Sequence, residues 1–105
     1  MDEYILVHFT ADDLKLAEGI LSDLLESGVV ACGMIQPEVI SHFRWKGNIE
    51  KTKECVIIMK TKKEFYQIIE SYIVESHTYS IPEVIAIPIV KGYKKYLEWI
   101  DQETS

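Results

Sequence analysis

Cys55-Val56-Ile57-Ile58-Met59 is a run of five apolar residues with no polar position inside it. A strand points successive side chains to opposite faces, so such a run needs cover on both. The segments around it say what cover is available. Tyr4 to Phe9, β-branched and aromatic, predicts a first strand. Thr10 with Asp13 predicts a capped helix start. Leu14, Ala17, Ile20, Leu21, Leu24 and Leu25 then mark one helical face that ends at Gly28. Ala31 to Ile35 and Val39 to Trp45 predict a second strand bent at Pro37, which has no N–H to give a ladder. Lys46-Gly47-Asn48 predicts the turn of a long hairpin whose return strand runs from Ile49 to Thr61. Thr61-Lys62-Lys63-Glu64 has the form of a capping box before a second helical stripe, Phe65, Ile68, Ile69, Tyr72 and Ile73. Val84 to Ile89 predicts a buried fourth strand. Gly92 breaks the chain before a last helix carrying Tyr93, Tyr96, Leu97 and Ile100.

The order is βαβ-βαβ with a terminal helix, an α+β, ferredoxin-like sandwich built as a single domain over residues 1–105. Two crossover helices cover one face of its sheet. The apolar run therefore leaves greasy surface on the other, and that surface implies self-association.

Composition removes several function classes. The formal net charge of -6 repels phosphate backbones, and no basic stripe offsets it, so nucleic acid is not an expected partner. Apolar runs are strand-sized, far below the ~20 residues of a membrane span. Met1-Asp2-Glu3 lacks the basic start of a signal peptide, which makes the cytoplasm the expected compartment. Cys32 and Cys55 are too few for a disulfide framework, and both lie in apolar runs that suit buried thiols. No GxSxG, Walker, GxGxxG or HExxH pattern occurs, so no enzyme is expected.

Three blocks of the chain resemble the CutA family of divalent-cation tolerance proteins. They are Ala31-Cys32 through Ile35, Pro37, Val39, Ser41, Arg44, Trp45, Gly47, Ile49 and Glu50; Ile58 to Thr61; and His77, Tyr79, Pro82, Glu83, Ile85, Ala86, Pro88 with Tyr96, Leu97 and Trp99. The resemblance implies a homotrimer whose hairpins wrap neighbouring subunits, and a role in tolerance of copper or another divalent cation. It implies no organic cofactor. Met34, Thr78 and Ser80 depart from the family pattern. Met34 and Ser80 remove an amide oxygen and a carboxylate, both hard donors.

Cys32, His77 and Glu83 are the candidate metal ligands, since thiolate, imidazole and carboxylate all bind divalent ions. Met34, two residues from Cys32, is expected on the same sheet face, a soft pair suited to Cu(I). His77, Tyr79 and Glu83 read equally as an inter-strand hydrogen-bond cluster. Trp45, Lys60 and Tyr79 are the candidate lining of a ligand cleft, and Lys60 is also placed to neutralise Glu83. Arg44 and Trp45 are candidate anchors of the trimer interface. Two rival readings share this fold: a trimeric metabolite sensor like the PII proteins, and a stable scaffold without a small ligand.

Overall fold

The computed structural model of the chain describes residues 3–105; the acidic start read from Met1 and Asp2 lies outside them. Strand β1 is Tyr4–Ala11, helix α1 is Leu14–Glu26, and β2, Cys32–Trp45, pairs with β3, Asn48–Lys62. A short 3-10 turn leads into α2, Tyr66–Ser76, followed by β4, Val84–Pro88, and α3, Lys94–Glu103. The sheet order is β2-β3-β1-β4, the ferredoxin-like arrangement, with β2 and β4 at the edges.

Alternation along β1 and β3 sorts the sheet into two faces. Val7 and Phe9 of β1 and Ile57 and Met59 of β3 are fully buried against α1 and α2, whose Ala17, Ile20, Leu24, Ile69 and Ile73 meet them. Gly33 lies on this face too. A Cβ there would come within 2.5 Å of Leu21 Cδ1, so β2 approaches α1 as closely as it does because Gly33 has no side chain. Leu6 and His8, Cys32 and Met34, Ile58 and Lys60, and Ile85 and Ile87 line the opposite face, matched by their registers.

The hairpin follows its sequence closely. The register of β2 on β3 shifts between Gln36 and Val39, where Pro37 interrupts the ladder. At its tip, Lys46 and Gly47 both take positive φ, 50° and 83°, the pattern of a two-residue type I′ turn. Gly28, with φ of 82°, ends α1 as expected.

Three expectations need correction. Thr10 is a buried strand residue, and Asp13 caps α1 instead, its carboxylate accepting from Lys15 N–H at 3.1 Å. Thr61 is no helix cap; it is fully buried in β3, its hydroxyl donating to the Val29 carbonyl, and α2 starts without a side-chain cap. At Thr61 a tertiary contact took the hydroxyl that a local cap would have used, and at Thr10 the strand simply runs on to Ala11, so the helix starts later. Finally β4 is not buried. It is an edge strand with Ile85 and Ile87 at 47% and 43% exposure, because nothing among the described residues covers its open side.

Candidate functional site

The distal half of the hairpin offers one row of side chains on the open side: Ser41, Phe43 and Trp45 from β2, opposite Thr52, Glu50 and Asn48 of β3. The connection between α2 and β4 folds over the base of this row. Together they enclose a cavity of about 620 Å³, with Tyr79, Ser80, Ile81 and Glu83 as its far wall. Thr10 and Asp12, at the end of β1, complete it.

His77 fixes that wall. Its Nε2–H donates to the Thr10 carbonyl at 2.6 Å, and its Nδ1 accepts from the Tyr79 N–H at 3.1 Å. The ring also meets Phe9 edge-on, with centroids 6.5 Å apart, and lies 4.4 Å from the Tyr79 ring. Both nitrogens are thus spent on backbone partners, so His77 holds a loop and has no lone pair left for a metal. Tyr79 in turn donates its hydroxyl to Glu54 Oε2 at 2.6 Å. Burial, and then this hydrogen bond to Glu54, raise the Tyr79 phenol well above its ordinary value, so it stays a donor.

Glu83 turns to His8 instead of His77: Oε2 lies 3.2 Å from His8 Nε2, joining β4 to β1 across the open face. Cys32 sits elsewhere. It pairs with Lys60, four residues along β3 from the Val56 that pairs with Thr10, about 13 Å at strand rise. Its Sγ lies 3.5 Å from the Tyr96 hydroxyl of α3, whose ring stacks on Trp99. Cys32, His77 and Glu83 are therefore not brought together, and the described residues contain no group of three or more His, Cys, Asp or Glu able to hold a metal ion. Within one chain the predicted donor set does not fit a metal. Cys32 and Met34 do share the open face, and Met34 is 58% exposed.

Trp45 and Tyr79 both line the cavity, while Lys60 stands six residues from Glu54 towards the other end of β3. Arg44 points to the opposite side of the hairpin from Trp45, beside Ile49, and is exposed. Sequence reasoning missed Phe43, Glu50 and Glu54. Their signal was the period-two alternation 41, 43, 45 against 50, 52, 54, which places one row of side chains on one face.

A four-stranded antiparallel sheet with α1 and α2 packed on one side defines a ferredoxin-like α+β protein, and comparisons narrow the class. A family model described as "CutA1 divalent ion tolerance protein" matches residues 5–103. The divalent-cation tolerance protein CutA of Archaeoglobus fulgidus is 38% identical over 96 residues, covering 91% of this chain and 93% of that protein. A solved structure from the same organism, described as periplasmic, superposes with a TM-score of 0.92 at 36% identity, covering 95% of this chain and 97% of that one. The chloroplastic protein CutA of Arabidopsis thaliana is 30% identical over 95% of this chain, which spans 55% of the plant protein. The chain belongs to the CutA1 divalent ion tolerance family. These relatives are named for tolerance or by family, none for a reaction.

Proposed function

We propose that this divalent-cation tolerance protein acts as a homotrimer that binds its ligands weakly, in crevices completed by neighbouring copies, and catalyses no reaction. The open sheet face carries the proposal. Met34, Ile85 and Ile87 are each more than two-fifths exposed, and both sheet edges present unpaired backbone. Such a surface favours burial against further copies. Closing three copies around it brings three Cys32-Met34 pairs into one assembly. A copper or other divalent ion then draws ligands from more than one copy, as a single chain supplies too few. The family's tolerance role and the names of its relatives support cation contact. Against a nucleotide sensor stand the carboxylates of the cavity, which repel phosphate.

Two free thiols among the described residues suit a reducing compartment such as the cytoplasm. Relatives carry periplasmic and chloroplastic designations, so cell fractionation is the check. No described helix is long and apolar enough to cross a membrane.

The test is sedimentation velocity with and without Cu(I), followed by calorimetric titration of Cu(I) into wild type and Cys32→Ser. A trimer whose copper affinity falls on Cys32→Ser is expected. A lone protomer in dilute buffer overturns the assembly, equal affinities remove Cys32, and a trimer indifferent to every metal leaves the scaffold reading.

A further inference from the structure

The cavity between the hairpin and the 79–83 connection has a composition that selects its occupant. Phe43, Trp45 and Tyr79 form aromatic walls, while Asp12, Glu50, Glu54 and Glu83 supply carboxylates; no Lys, Arg or His is among its lining residues. Its volume of about 620 Å³ falls in the range of small-molecule sites.

Glu54 sets this cavity apart from a patch of surface acids. It is only 8% exposed, and among the described residues no cation lies within salt-bridge distance of it. Its Oε2 is held by the Tyr79 hydroxyl, which aims the carboxylate, and no protein hydrogen bond reaches Oε1. Among the described residues no fully enclosed side-chain oxygen lacks a partner, so Oε1 keeps some exposure, and Glu54 lines the cavity. A carboxylate so little exposed, with no counter-ion among the described residues and a cavity beside it, favours a positive group there.

The shape of the charge says which kind. Glu50 and Glu54 are four residues apart on one strand face, about 13 Å, and the carboxylates form no cluster tight enough for a metal ion. Carboxylates carried by residues that far apart along a strand, with Phe43 and Trp45 alongside, match cationic nitrogens joined by aliphatic chain. Ammonium groups meet carboxylates at either end, and the methylenes and a cation–π contact use the rings between. The geometry points to a binding site for an organic polyamine in this cavity, seated on Glu54 at its base and Glu50 and Trp45 towards the hairpin tip. The residues named for it all belong to one chain.

Titrating spermidine and putrescine, followed by calorimetry and Trp45 fluorescence, tests it. Spermidine binds more tightly than putrescine, hexanediol does not bind, and magnesium at matched ionic strength does not compete. Affinity falls as salt rises. Glu54→Gln keeps an acceptor for Tyr79 and loses the charge, weakening spermidine about tenfold or more; Trp45→Leu weakens it about fivefold. Absence of spermidine binding, equal displacement by magnesium, or unchanged affinity in both variants overturns the site. If instead Glu54→Gln shifts the sedimentation coefficient and leaves polyamine binding untouched, the cavity is a seat for another copy and the proposal fails. Polyamine binding to a protein that sediments as a single chain supports this site while overturning the trimer.

Discussion

The two faces of the same sheet obey the same alternation and end in opposite states. On the helix side, Val7, Phe9, Ile57 and Met59 have no exposure, and a close approach at Gly33 lets α1 lie flat against β2. On the open side Met34 is 58% exposed, and only one end is covered, where α3 reaches Cys32 through Tyr96 and Lys62 through Asp101. The closed face is complete within one chain and gives the protomer its stability. The open face is apolar in its middle and acidic and aromatic at its far end, and this is where contacts with other molecules are available. Adjacent residues of one strand therefore answer to different pressures: Ile57 to packing, Ile58 to whatever arrives.

That contrast is most easily broken by truncating the two neighbours in turn. Ile57→Ala leaves a hole in a closed core and lowers unfolding free energy by about 2–5 kcal/mol, by the same amount at every protein concentration. Ile58→Ala costs less in dilute solution, and its effect grows with concentration as association weakens. Urea unfolding at two widely spaced concentrations separates them; identical, concentration-independent losses would mean the faces are not different in kind.

A charge on the open face sharpens the point from the other side. Ile87→Lys, opposite Leu6 on the edge strand, removes an apolar contact of about 1.5–3 kcal/mol per copy and places an ammonium where copies would meet. Sedimentation is expected to show loss of self-association, with the far-UV circular dichroism of the protomer retained. A smaller effect belongs to the closed side. Asp13→Ala removes the cap of α1 and lowers stability by about 1 kcal/mol, recovered by Asp13→Asn, in thermal unfolding followed by circular dichroism.

The closed face was legible in the sequence because it is written in periodicity. The 3.6-residue stripe of α1, the bend at Pro37 and the turn at Lys46-Gly47 all stand where the residues put them. Hydroxyls misled, since Thr10 and Thr61 have the spacing of caps yet lie in strands. A local hydrogen bond and a tertiary one are interchangeable on paper, and burial decided between them. The site was half visible. Tyr79 and Trp45 do line one cavity, but its buried acid, Glu54, comes from β3, 25 residues from Tyr79. His77 and Glu83, six positions apart and read as one group, found separate partners in Thr10 and His8. Pairing across strands is set by register, and no short motif records it.

The smallest expected effect lies at the border between the covered and bare parts of the open face. The hydrogen bond to Cys32, aided by burial, pushes the Tyr96 phenol up to about 12 from an ordinary value of 10.0. The neutral phenol is therefore favoured in the folded chain. Below pH 10 this contribution is fully present. Between about 10 and 12 the unfolded chain loses the Tyr96 proton first, so the native state binds more protons and stability falls as pH rises through that interval. Tyr96→Phe removes this part of the alkaline slope. Tyr66 is also raised to about 12, so the difference in near-ultraviolet phenolate absorbance between wild type and Tyr96→Phe isolates the one group. In Cys32→Ala the isolated titration moves back towards 10. If it stays where it was, Cys32 does not hold the Tyr96 hydroxyl, α3 is kept on the open face by Lys62–Asp101 and apolar contact, and the Cys32–Tyr96 pair does not mark where the chain's own cover stops.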